Sequence, residues 1–163
     1  MDLTAKEEFC EQIRLYEKSM YQLAYSIVKN EHDAGEIISE SIYRAYKSYS
    51  TLRNQGAFKT WILRIVHNTA IEAIRKNKKA IPIERLEETI ADDENDITAK
   101  IAVRQAVESL KQPYRTVTVL FYYENLSIAK IAHITNSNVL AVRKQLSRAR
   151  KMLSEILKED FEI

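Results

Sequence analysis

The chain is expected to be all-α, built as two small helical domains. Three observations predict this. Glycine and proline are scarce, two of each in 163 residues, which long helices tolerate and sheets rich in tight turns do not. Glu, Lys, Ala, Leu and Ile dominate, and most of them are good helix formers. Apolar residues recur at alternating spacings of three and four in most segments, the mark of one buried stripe per helix. Hydrophobic residues make up 45% and charged residues 29%, so a packed protein is expected rather than a disordered one.

The split into two follows from charge. The net charge of +2 hides a strong segregation. Residues 1–80 carry a net +3, residues 81–100 a net −5 and residues 101–163 a net +4. Two basic blocks joined by an acidic one suggest two nucleic-acid-facing modules and a flexible acidic linker. The domains are set at 1–80 and 97–163, with the linker at 81–96.

The first helix is expected over about 4–29, from Phe9, Ile13, Tyr16, Met20, Leu23 and Ile27. Asn30 is placed as its left-handed terminator, and Asp33 as the N-cap of the second helix, in a capping box with Glu36. That helix would turn Ala34, Ile37, Ile38, Ser41, Ile42, Ala45 and Tyr49 inward. A polar break at 47–57 precedes a third helix from Phe58 to about residue 76. Phe58, Trp61, Ile62, Ile65 and Thr69 form its buried side, with Phe58 and Trp61 read as core rather than as base-stacking platforms. Pro82 and a weak apolar pattern mark the linker, with one short helix around 85–90. Asp96 would cap a fourth helix with Ile97, Ile101, Val103, Ala106, Val107 and Leu110 on one side. A fifth begins at Pro113, turns Val117, Leu120 and Phe121 inward, and ends at Asn125.

Residues 127–153 carry six positive charges and no negative one. Ser127 is placed as the cap of a short sixth helix and Ser137 of a longer seventh. Val139, Val142, Leu146, Ala149 and Leu153 form the apolar stripe of the seventh, and Arg143, Lys144, Ser147 and Arg148 fall on an adjoining face. A short helix, a tight turn and a longer basic helix is the pattern of a helix-turn-helix, whose second helix enters the DNA major groove.

Three segments resemble the extracytoplasmic-function (ECF) group of the bacterial sigma-70 family of RNA polymerase sigma factors. HDAGEIISESIYRAY (32–46) is similar to the helix that docks on the polymerase clamp. FKTWILRIVHNTAIEAIRKNKK (58–79) is similar to the helix that recognises the −10 promoter element and helps melt it. LKQPYRTVTVLFYYENLSIAKIAHITNSNVLAVRKQLSRARKML (110–153) is similar to the −35-binding domain. The resemblance implies a three-helix-type bundle for sigma region 2 and a four-helix domain with the helix-turn-helix for region 4.

By the same resemblance, Asp33, Glu36, Ile37 and Glu40 face core polymerase. An acidic surface there suits a basic partner, since complementary charge sets specificity and encounter rate. Arg53 and Asn54 lie in the loop where the family holds a base flipped from the −10 element, and unstacking a base costs a few kcal/mol that a prepared pocket must offset. Lys59, Arg64 and Asn68 would lie along the neighbouring strand. Arg143, Lys144, Ser147 and Arg148 match the recognition-helix positions for the −35 element. The implied partners are core RNA polymerase, promoter DNA and an anti-sigma factor, which in the family is often membrane-anchored. Gly35, Ser39, Lys130, Asn136 and residues 138–141 depart from the family pattern. Asn136 stands where glycine is usual, and Asn tolerates the positive φ such a turn needs.

No catalytic constellation or phosphate-binding loop appears. His32, His67 and His133 lack ligand spacing. No enzyme activity, cofactor or metal is therefore expected. Cys10 is read as a small packing residue of the first helix; as the single cysteine it allows no internal disulfide. No apolar run approaches the roughly 18 residues of a membrane span, and the start lacks the basic head and apolar core of a signal peptide. A cytoplasmic protein is expected. The rival readings are a stand-alone helix-turn-helix regulator with an effector-binding N-terminal domain, and a helical adaptor or inhibitor that binds no DNA.

Overall fold

In the computed structural model, residues 1–80 and 99–161 are described, the side chains of 78–80, 160 and 161 excepted. The expected acidic linker at 81–96, its short helix around 85–90, and the Asp96 cap and Ile97 lie outside the described residues. Helices α1 (Leu3–Val28), α2 (Glu31–Ser48) and α3 (Phe58–Ala80) form one bundle. Helices α4 (Ala99–Ser109), α5 (Tyr114–Thr118), α6 (Ile128–Ile134) and α7 (Val139–Phe161) form the second unit, with α5 running on into a π-helical turn, Val119–Tyr123. No strand occurs among the described residues.

The junction between α1 and α2 lies one step earlier than the sequence suggested. Lys29, not Asn30, takes the left-handed conformation, with φ 51°. This frees Asn30 to cap α2, its Oδ1 accepting from the Asp33 backbone N–H at 2.9 Å. Asp33 therefore sits inside the first turn rather than at the cap, where its charge meets the positive end of the helix dipole. At the other end of the chain, Asn138 rather than Ser137 caps α7, accepting from the Ala141 N–H at 2.8 Å. In both places an Asn and a neighbouring polar residue competed for the cap, and the Asn at the true boundary took it. Ser127 caps α6 as expected, accepting from the Lys130 N–H at 3.2 Å.

Apolar burial follows the periodicity in most helices. Met20, Leu23, Ile62, Leu63, Val66, Leu120, Ile131, Val142 and Leu146 are all but inaccessible. Phe9, Tyr16, Tyr49, Phe58 and Trp61 form an aromatic group, with ring centroids 5.1–6.4 Å apart. This is the range in which edge-to-face and offset pairs add to simple burial. Helix α3 continues about a turn past its expected end. Three expectations fail. Val139, placed on the α7 stripe, is 39% exposed at the first position of that helix. Ile101 and Val103 are 46% and 39% exposed; α4 instead buries Ala102, Ala106 and Val107, with Leu110 just beyond. Bulk misled the reading there, because alanines at i and i+4 mark the close-packed side. Cys10 is exposed, one step off the Phe9 stripe.

The two units are packed against each other. One apolar cluster runs from Phe9 and Met20 through Val66 and Ala70 to Val117, Ile131, Val142 and Leu146. Helix α1 meets α5 and the π-helical turn, and α3 meets α6. Arg115 closes this junction. It donates through Nε to the Ser26 carbonyl, through Nη1 to the Leu110 carbonyl at 2.7 Å and through Nη2 to the Ile27 carbonyl at 3.5 Å. Ser26 and Ile27 belong to the last turn of α1, whose carbonyls lack intrahelical partners and carry the negative end of the dipole. Gln112 Nε2 adds a second donor to Ser26 at 2.8 Å, and the Ser26 and Thr116 hydroxyls meet at 3.2 Å.

Candidate nucleic-acid interface

Helix α7 presents its basic face because its other face is consumed by packing. Val142, Leu146 and Ala149 are buried, and among the intervening residues Arg143, Lys144, Ser147 and Arg148 point away from that packed side. Asn136 has φ 54°, so the turn between α6 and α7 uses the left-handed region that Asn tolerates. The Ser137 N–H donates to the Ala132 carbonyl at 2.9 Å and closes the turn. Together α6, the turn and α7 form a helix-turn-helix. Not every positive charge of α7 is available: Arg150 lies over the Phe121 and Tyr122 rings and donates to the Tyr122 hydroxyl at 2.7 Å. It fastens α7 to the π-helical turn.

In the first unit, Arg53 and Asn54 stand exposed between two short 3-10 turns, Tyr49–Thr51 and Gln55–Ala57. Asn54 Oδ1 accepts from the Gly56 N–H at 2.9 Å. A side chain at Gly56 would crowd that amide, its Cβ falling 3.2 Å from Asn54 Oδ1. The loop hangs from Tyr49, which is buried and donates to Gln55 Oε1 at 3.1 Å.

The structure separates the other three residues from Arg53 and Asn54 in one respect: each is engaged by the second unit. Lys59 Nζ donates to the Glu124 carbonyl at 3.0 Å and lies 3.4 Å from its carboxylate. Arg64 Nη1 lies 3.0 and 3.1 Å from the two ring nitrogens of His133. Asn68 Oδ1 accepts from Asn136 Nδ2 at 2.7 Å. Sequence reasoning singled out Lys59, Arg64 and Asn68 for DNA and did not foresee this junction, nor the part that Glu124, His133, Gln112 and Arg115 take in it. A signal existed only for Arg115, a single cation in the otherwise uncharged run 113–123.

Asp33, Glu36 and Glu40 line the outer side of α2, with Glu36 and Glu40 exposed and Asp33 half-buried. Glu36 Oε1 lies 3.2 Å from His32 Nε2. Arg44 bridges Glu40 at 3.0 Å and Glu72 at 2.8 Å and so ties α2 to α3. The guanidinium beside Glu72 holds its carboxyl below the usual range. Ile37 does not share this surface. It is 4% exposed and points into the core, one turn after buried Ala34 and one before buried Ser41, so it seats α2 rather than offering a contact.

Comparisons with known proteins agree with this arrangement. The family model for sigma-70 region 2 matches residues 12–80, and that for sigma-70 region 4 matches residues 100–153. RNA polymerase sigma factor SigV of Bacillus subtilis is 34% identical over 148 residues, covering 90% of this chain and 89% of that protein. ECF RNA polymerase sigma factor SigW of the same organism is 28% identical, covering 94% and 91%. Among solved structures, the sigma factor RpoE in complex with the anti-sigma factor NepR from Bartonella quintana superposes with a TM-score of 0.76 at 19% identity. It covers 93% of this chain and 98% of that one. The fold is thus that of a two-unit sigma factor, and the chain belongs to the ECF group of the sigma-70 family of RNA polymerase sigma factors. The match in the first unit disfavours a stand-alone helix-turn-helix regulator.

Proposed function

We propose that this sigma factor carries core polymerase to its promoters with the following division of labour. Residues 1–80 act as the region 2 module and 97–163 as the region 4 module, joined through 81–96. Asp33, Glu36 and Glu40 form the acidic docking surface for core polymerase, with Ile37 fixing the helix from beneath. Arg53 and Asn54 receive a flipped base of the −10 element, and Lys59, Arg64 and Asn68 follow the adjoining strand. Arg143, Lys144, Ser147 and Arg148 read the −35 element. The chain works in the cytoplasm, performs no catalysis of its own and needs no cofactor. An anti-sigma factor restrains it, a partner of the kind found with the sigma factor RpoE in its solved structure.

The observation that carries this reading is the outward basic face of α7 on a helix-turn-helix whose opposite face is buried. Run-off transcription with core polymerase over a promoter library, with and without the protein, tests it. Protein-dependent initiation at a subset sharing −10 and −35 elements is the expected result. Tight operator binding by the free protein, with no effect on initiation, would overturn it.

A further inference from the structure

We propose that the cleft walled chiefly by α1, α4 and the π-helical turn binds a nucleoside monophosphate, its base against Tyr21 and Tyr25 and its phosphate between Lys18 and Arg104. The cleft measures about 370 Å³, within the range of pockets that take one small molecule. None of the residues lining it belongs to the surfaces assigned above to DNA or to polymerase, so those roles do not account for it.

The charge of the lining calls for an anion. Lys18, Lys29, Arg104 and Arg115 stand against Glu31 and Glu108, four cations to two carboxylates. Arg115 is spent on the carbonyls at the end of α1. Lys18 and Arg104 differ from it. Both are exposed, one on α1 and one on α4, and among the described residues neither has an ion-pair or hydrogen-bond partner. Like charges facing one cleft from both walls repel unless an anion lies between them. A phosphomonoester carries about −1.5 to −2 at neutral pH and presents three acceptor oxygens. It matches the surplus of two positive charges in sign and in size.

Charge alone would suit inorganic phosphate, but the rest of the lining asks for a flat ring as well. Tyr21 and Tyr25, one turn apart on α1, are half-buried and near-parallel, with centroids 6.0 Å apart and ring planes 17° from each other. Buried Val107 and Val119 line the same cleft. Any base can stack on a tyrosine, because every base has a π-face. Polar groups for its edges and for a ribose are present too. Burial, then the Glu31 carboxylate, holds the Tyr21 hydroxyl above its ordinary value of 10.0. Burial, then Glu108, Tyr21 and Glu31, does the same for Tyr25, with Arg115 opposing. Both phenols therefore stay protonated and can donate, while the two carboxylates accept, as an acidic residue accepts from ribose hydroxyls in dinucleotide sites. The walls come from both units: Lys18, Tyr21 and Tyr25 from the first, Arg104, Glu108 and Val119 from the second. A ligand seated there stabilises their packing by mass action, which links nucleotide concentration to the stability of the junction.

Isothermal titration calorimetry on the full chain tests this with AMP, GMP, CMP and UMP, and with the parent nucleosides and inorganic phosphate as the two halves of the ligand. At least one nucleotide is expected to bind one to one with a Kd in the micromolar range and to raise Tm with its concentration. Its nucleoside and inorganic phosphate should each bind about tenfold more weakly, since each forgoes the contacts of the other half. Lys18→Gln with Arg104→Gln should weaken the nucleotide about tenfold and leave the nucleoside unaffected. The Tm of the unliganded chain should not change, because both side chains are exposed. Tyr25→Leu should weaken nucleotide and nucleoside alike, by about tenfold, and Tyr25→Phe, which keeps the ring, should recover most of the loss. The basic α7 face is a second place where a nucleotide can collect, so Arg143→Ala with Arg148→Ala is the control and should leave binding unchanged. Absence of binding by all four nucleotides at millimolar concentration overturns the inference. So does binding that survives Lys18→Gln with Arg104→Gln undiminished, or that disappears with the α7 pair instead. Inorganic phosphate bound as tightly as the best nucleotide would reduce the cleft to an anion site and overturn the nucleotide assignment.

Discussion

Replacing Arg115 with Ala is the sharpest probe of how the two units hold together. The side chain is 8% exposed and donates to three carbonyls, of Ser26, Ile27 and Leu110. Ser26 keeps a donor in Gln112, so two carbonyls are left without this donor. Leaving a buried acceptor unpaired costs about 1–3 kcal/mol each, and the long Ile27 bond belongs at the bottom of that range. Admission of water at the junction offsets part of this, so the expected destabilisation is about 2–3 kcal/mol. For a chain of this size 1 kcal/mol corresponds to about 2–4 °C in Tm, so Tm should fall by about 4–12 °C. There is also a ceiling. Once the units part, the Ser26 and Ile27 bonds no longer exist, so their share of the effect cannot exceed the free energy of closure. Arg115→Lys keeps a cation at the negative end of α1 and should recover part of the stability, though one ammonium cannot span three acceptors. Differential scanning calorimetry with urea titration measures both variants. A change below about 0.5 kcal/mol, the range of an ordinary surface substitution, would refute the assignment of Arg115 as the closing residue.

Other substitutions test the remaining assignments. Asn138→Ala should destabilise by about 0.5–2 kcal/mol through removal of the α7 cap, whereas Ser137→Ala should be near neutral; equal effects in urea denaturation would count against Asn138. Arg143→Ala with Arg148→Ala should weaken −35 recognition by about 1–3 kcal/mol for each Arg–guanine pair removed. Stability should stay unchanged because both lie off the packed side, and unaltered promoter binding would remove that face. Asp33→Lys with Glu36→Lys should reduce co-purification with core polymerase, and retention equal to the parent chain would exclude the docking surface. Burial pushes the half-buried His67 imidazole below its ordinary value of 6.5, with Asn68 partly opposing, and its Nδ1 has no hydrogen-bond partner among the described residues. The folded chain then binds fewer protons at this site than the unfolded chain. Stability should hold above the ordinary value and decline as pH falls through about 6.5. His67→Gln should flatten that decline, and an identical pH profile of Tm would contradict the buried neutral ring.

The residue pattern carried the helices and the basic face of α7 because both depend on local periodicity. Val142, Leu146 and Ala149 are buried at the spacing the sequence shows, and that leaves Arg143, Lys144, Ser147 and Arg148 outside. Cap positions were less legible. At 30–33 and 137–138 more than one residue can cap, and the choice is made by where the preceding chain leaves its last turn. The α4 stripe was misread because burial of Ala102 and Ala106 reflects close approach of helices, which side-chain size conceals.

The sequence by itself determined two helical basic units, their order and the side chains that lie off each apolar stripe, since i, i+3 and i+4 neighbours fix a helix face without reference to the rest of the chain. Only the tertiary structure decided that Lys59, Arg64 and Asn68 are occupied and that Arg115 belongs to the end of α1. Those bonds join residues 65–89 positions apart. Nothing in a local pattern distinguishes a cation facing solvent from one facing the other half of the same molecule, because both lie off the apolar stripe.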